Sequence, residues 1–99
     1  MEYGFDPKKL ASNLVKHGVE FAAIEEFRWS SALVRADVRE DYGEVRLTAI
    51  GLVGDRLHVA VFTVERRLVW LISLRRANRK EIMTYVASLD PSGGAALAR

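Results

Sequence analysis

RLHVAVFTVERRLVWLISLRRANRKEIMTY, residues 56–85, decides the fold. Two runs in it, 56–64 and 68–74, are rich in β-branched and aromatic residues and apolar on both faces. That pattern predicts central strands with both faces covered. Glu65, Arg66 and Arg67 join them without a glycine. Asn78 and Glu81 then stand at capping-box spacing, an oxygen-bearing cap followed three residues later by Glu. Ile82, Met83, Val86 and Leu89 supply an apolar face for the helix that the box opens. The segment is therefore a hairpin that runs directly into a capped helix.

Upstream, residues 2–5 read as an edge strand. Asp6 is a favoured N-cap and Pro7 a favoured first helical residue, so a helix is expected over 7–17. Leu10, Leu14 and Val15 are its expected apolar stripe, and Gly18 suits the left-handed position that ends it. A second short helix would turn Phe21, Ile24 and Phe27 inward and Glu20, Glu25 and Glu26 outward. Strands are expected over 29–37 and 44–53, with turns at Tyr42-Gly43 and Gly54-Asp55. Pro91-Ser92-Gly93-Gly94 stops the last helix, and residues 95–99 read as a loose tail. The order β-α-α-β-β-β-β-α predicts one α+β domain over residues 1–90, with 91–99 as a flexible tail. Its sheet should be mostly antiparallel, with four to five strands, packed with two N-terminal helices and one C-terminal helix.

Ninety-nine residues suffice for one small domain. No run of 18 apolar residues suggests a membrane span, and the first residues carry no apolar signal region. The chain has no cysteine, which excludes disulfides and thiolate metal sites and fits a cytoplasmic setting. Charge is unevenly spread. Residues 1–65 carry 8 Lys/Arg against 11 Asp/Glu, whereas residues 66–99 carry 7 against 2. Between Arg66 and Lys80 there are six basic residues and no acid. Such a one-sided field attracts a polyanion, with RNA the obvious candidate. Two histidines, His17 and His58, 41 positions apart and without an HxxxH pattern, give no metal-site signal. His58, within a strand, reads as a core or edge histidine.

Several pieces in order resemble one family. FDPKK at 5–9, Asn13 and KHGVEF at 16–21 look like the first third of BrnT-type toxins. YGEVR at 42–46, Gly51 and VFT at 61–63 fit the middle, and ISLRRANRKE at 72–81 with Tyr85 fits the end. The resemblance implies a RelE-like fold and the toxin half of a bacterial type II toxin–antitoxin pair. It implies a metal-independent endoribonuclease that needs no cofactor. Its partner would be a ribbon-helix-helix antitoxin of the BrnA kind, which alone would contact DNA. Relatives often carry Arg where this chain has Glu65 and Trp70. Those departures leave a second expectation open, a non-catalytic RNA- or antitoxin-binding protein of the same fold. A homodimer using Trp29 or Trp70 is a third.

RNA cleavage through the ribose 2′-hydroxyl needs a base, cations for the charge on phosphorus, and an acid for the leaving oxygen. Arg75 is the leading cation, because its planar fork suits phosphate oxygens. Pairing with an acid such as Glu44 is its structural alternative. Ser73 shares its strand face. Arg76, Arg79 and Lys80 are candidate RNA contacts around it, and Arg66, beside Glu65, is a further candidate RNA contact. His17 is a candidate base or acid, and its place in a last helical turn explains it equally well. Glu81 could serve catalysis, but a capping role accounts for it. Tyr85 could stack on a base, donate a proton or pack.

Overall fold

The computed structural model describes residues 1–39, 41 and 43–89. The expected tail, the stop at 91–94 and Tyr42 lie outside the described residues. Five strands form one sheet: β1 (Glu2–Phe5), β2 (Leu33–Asp37), β3 (Arg46–Val53), β4 (Arg56–Glu65) and β5 (Leu68–Arg76). Two helices accompany it, α1 (Pro7–His17) and α2 (Arg79–Leu89). The sheet order is β1-β5-β4-β3-β2, with β1 parallel to β5 and every other pair antiparallel. This is the expected α+β domain.

The core lies on one face. There Ala49 of β3, Ala60 and Phe62 of β4, and Val69, Leu71 and Leu74 of β5 meet Phe21, Ile24 and Phe27. The three inward residues are those expected, but their segment, Phe21–Glu26, is a 3₁₀ helix. In a 3₁₀ helix side chains three apart eclipse one another, so Phe21 and Ile24 line up over the sheet, and Phe27 at the C-cap joins them in the core. The strand expected from residue 29 begins at Leu33 instead, because Trp29–Ser31 forms another 3₁₀ turn. Trp29 is drawn inward. Its ring packs on Phe27 and Phe62, and its Nε1 donates to the Tyr3 hydroxyl at 2.6 Å. That placement packs Trp29, partly buried, against the core.

Both helices depart from the expected stripes, although Leu10 packs against the core as expected. In α1 the buried residue is polar: Asn13 is 3% exposed, whereas Val15 is 87% exposed. Strand β1 ends opposite Leu71, which leaves the far end of β5 without a strand partner on that side. Asn13 takes the vacant place. Its Oδ1 accepts from Leu74 N–H at 3.0 Å, and its Nδ2 donates to the Leu74 carbonyl at 2.7 Å. Nδ2 also donates to the Val19 carbonyl at 3.0 Å. The side-chain amide thus pairs with β5 as a strand peptide would. The caps are as expected: Asp6 accepts from Lys8 N–H, and Gly18 has φ of 66° with its N–H on the Leu14 carbonyl. In α2, Ile82, Met83, Val86 and Leu89 are exposed and Tyr85 is buried.

Gly51 of β3 lies under Phe27, where an added Cβ would stand 2.6 Å from the ring's Cζ. Gly51→Ala should destabilise the fold by about 1–3 kcal/mol through overpacking, and Gly51→Val by more. Asn13→Ala should cost roughly 2–4 kcal/mol, since it orphans a buried N–H and C=O of β5. Asn13→Asp should cost at least as much, because it buries a carboxylate oxygen against the Val19 and Leu74 carbonyls. Urea unfolding midpoints check all four.

Candidate functional site

The second face of the sheet carries the polar chemistry. Strand alternation puts Ser73 and Arg75 on it, since Leu74 between them is buried in the core. A bulge interrupts the β4–β5 register: Val61 faces Ser73 and Phe62 faces Leu71, so Ile72 is the extra residue. Bulges re-aim neighbouring side chains. Ile72 and Ser73 both line the groove between β5 and α1.

Arg75 is held, though not by Glu44, which pairs with Arg46. Its Nη1 and Nη2 donate to Glu81 Oε1 and Oε2, each at 2.7 Å. Nη1 also donates to the Arg76 carbonyl. Glu81 closes the capping box as expected: its N–H donates to Asn78 Oδ1, and its Oε1 accepts from Asn78 N–H, both at 2.8 Å. One carboxylate therefore fixes the start of α2 and the fork of Arg75 together. Hydrogen bonding to Arg75 holds the Glu81 carboxyl below the usual carboxylate range, against the opposing effect of burial. The same bond raises the Arg75 pKa. The nearby Arg39 charge works against it, and Arg39 itself forks onto Asp37 at 2.8 Å.

Three depressions mark this face. One of about 260 Å³ holds Arg75, Glu81, Arg39, Asp37, Arg35 and Thr48. Arg35 has no ion pair among the described residues. A second, of about 200 Å³, lies along α1 and is lined by Lys9, Ser12, Asn13, Lys16, His17, Ile72 and Ser73, with no acid. The third, of about 250 Å³, contains Trp70, Thr63, Glu65, Arg46 and again Lys9. Both departures from the family pattern therefore sit in one hollow.

The expected residues separate into groups. Arg75 and Glu81 line one depression, and Ser73 and His17 line the groove along α1. Arg76 is exposed and alternates to the opposite face from Arg75, as expected. Arg79 and Lys80 are exposed on the first turn of α2. Arg66 is elsewhere: it sits in the β4–β5 turn with φ of 51°, at the other end of β5 from Arg75. Tyr85 is 3% exposed and buries its ring, so it anchors α2 and presents no free face for stacking. His58 is buried, with Nδ1 on the Arg56 carbonyl, and is a core histidine as expected. The basic residues Lys9, Lys16, Arg35, Arg39 and Arg46 were missed as site residues. Lys9, Lys16 and Arg46 stand in the FDPKK, KHGVEF and YGEVR pieces, so a signal for those three was present. Nothing local marks Arg35 and Arg39, which only sheet pairing brings to Arg75.

Residues 5–81 match the family model described as the ribonuclease toxin, BrnT, of type II toxin–antitoxin systems. Among solved structures, that of the Brucella abortus ribonuclease toxin BrnT is similar. It is 31% identical over 80% of this chain and 99% of that one, with a TM-score of 0.62. No curated protein gives a significant match.

Glu81 lets the pH dependence be signed. Its folded-state pKa is depressed, so the stability it contributes is full above the unfolded carboxylate value. That stability is lost as pH falls through the lower folded value. Thermal unfolding of the wild type and Glu81→Gln should therefore differ most near pH 7 and converge below about pH 4.

Proposed function

Since the chain belongs to the BrnT family of ribonuclease toxins of type II toxin–antitoxin systems, we propose that it cuts RNA on the second face of its sheet, at Arg75. The toxin is an endoribonuclease in this family, and the proposal concerns where and how. The single observation that carries it is the Arg75–Glu81 fork, with both oxygens at 2.7 Å and an acid-free basic groove alongside.

In the proposed reaction the 2′-oxygen attacks the adjacent phosphorus as its proton leaves to a base. The P–O5′ bond breaks, and the leaving oxygen takes up a proton. A 2′,3′-cyclic phosphate and a 5′-hydroxyl result, and no metal ion is required. Arg75 meets the charge that develops on the phosphoryl oxygens, and Glu81 fixes its direction before substrate arrives. Glu81 is thus a positioning residue. His17 is the proton-transfer group, because its groove reaches Ser73, the neighbour of Arg75 on the strand face. Ser73 and the exposed Arg79 and Lys80 bind the RNA on either side, and Arg76, which alternates to the opposite face, is left for the antitoxin. Tyr85 and Arg66 have no chemical part, given the burial of one and the distant turn of the other.

The antitoxin partner follows from the family. We assign it to the ribbon-helix-helix class, in keeping with the BrnT-like motifs, and place the pair in the cytoplasm. Exposed Ile82, Met83, Val86 and Leu89 on α2 support a protein partner for this chain.

Induction of the chain alone should arrest growth, and Arg75→Ala should relieve the arrest while the protein stays folded. With purified protein, Arg75→Ala should lower the cleavage rate about 10²–10³-fold, and Arg75→Lys should recover only part because it lacks the fork. Wild-type levels of new 5′-hydroxyl ends from Arg75→Ala would refute the assignment.

A further inference from the structure

The hollow at Trp70 differs in kind from the basic groove beside it. Trp70 is 39% exposed. One side of its ring lies over Gly4, where an added Cβ would stand 3.2 Å from two ring carbons. Trp70 is paired with Thr63 across β4–β5, and Glu65, two residues further along β4, shares that face. Asp6 and Glu44 in the same hollow are engaged, one as the α1 cap and the other with Arg46. Glu65 is exposed and has no ion pair among the described residues.

An aromatic ring beside a free carboxylate repels a phosphate and suits a base. The ring offers a stacking platform, and the carboxylate accepts from an exocyclic amino group. Lys9 is shared with the neighbouring groove, where Lys16 adds positive charge and no acid intrudes. The helix dipole does not explain Lys9, since a cation in the first turn is disfavoured there. Base-like and phosphate-like chemistry thus lie next to each other, joined at Lys9.

Resting on the RNA-cleaving assignment of this face, we infer that the hollow is a nucleobase subsite for single-stranded RNA. Trp70 stacks on the base, Glu65 selects one bearing an amino group, and Lys9 with Lys16 holds the adjoining phosphate. The site therefore favours cytidine, adenosine or guanosine over uridine at that position.

The test uses short 2′-O-methyl oligonucleotides of cytidine and uridine, which lack the attacking hydroxyl and are not consumed. Protein labelled with 5-fluorotryptophan has two ¹⁹F resonances, assigned with Trp70→Phe, and Trp29 serves as the internal reference. Oligocytidine should shift the Trp70 resonance alone and bind roughly tenfold more tightly than oligouridine. Glu65→Gln should abolish that preference, because an amide can also donate to the uracil oxygen. Trp70→Ala should weaken binding roughly ten- to hundredfold, with Trp70→Phe retaining most of it. Lys9→Ala should weaken both oligomers alike and flatten the slope of log K against log salt by about 0.7.

Equal binding of the two oligomers, or an unmoved Trp70 resonance in protein that still cleaves RNA, would overturn the subsite and leave the assignment at Arg75 standing. So would Trp70→Ala or Glu65→Gln variants that bind RNA normally but lose an antitoxin, since the hollow is then a protein interface. A folded chain that neither binds nor cuts RNA would overturn both.

Discussion

The amide of Asn13 is the contact on which the arrangement depends. Strand β1 covers only the first part of β5, and a bare strand edge leaves backbone groups that need partners. Asn13 supplies one donor and one acceptor to the same peptide, which no apolar side chain can do. It thereby seats α1 against the second half of β5. Lys9, Lys16 and His17 are placed beside Ser73 as a result. Had Leu14 and Val15 formed the buried stripe, the helix would be rotated and those three residues would face elsewhere.

A second polar anchor positions α2 in the same way. Glu81 is shared between the backbone of Asn78 and the guanidinium of Arg75. That double engagement rotates the helix so that Glu81 and Tyr85, one turn apart, turn toward the sheet. The more hydrophobic residues are left outside. Both helices thus trade apolar burial for a fixed polar contact, and in both the contact ends at β5. The bulge at Ile72 lies between the two anchors, so the part of β5 that carries the site is irregular in pairing yet held from two sides.

Much of this could be read in the sequence, for identifiable reasons. Asp6-Pro7, Gly18, Gly54 and the Asn78–Glu81 box are local devices whose chemistry acts within four residues, and each forms as expected. The paired strands β4 and β5 were clear because their composition has one physical use. The apolar stripes of α1 and α2 were misjudged because periodicity favours Leu and Val and gives no weight to a buried Asn or a bound Glu. The 3₁₀ turns escaped because periods of 3.0 and 3.6 cannot be separated over six residues. Within the site, Arg75, Ser73 and Glu81 are close in sequence and were found. Arg35 and Arg39 reach Arg75 only through three strand pairings, and Trp70 with Glu65 become one hollow only through the β4–β5 register.

The Asn13 clamp also sets when the molecule becomes complete during its own synthesis. Its two partners on β5 are 61 residues away, and β1 waits for the same strand. A growing chain emerges with β1 and α1 first, and neither has anything to join. The basic groove has one wall until β5 is made, and Arg75 has no rigid neighbour until Glu81 follows. Closing so long a loop is a late event in folding. The Asn13 clamp and the Arg75–Glu81 fork are therefore complete only once residues 68–81 have been made.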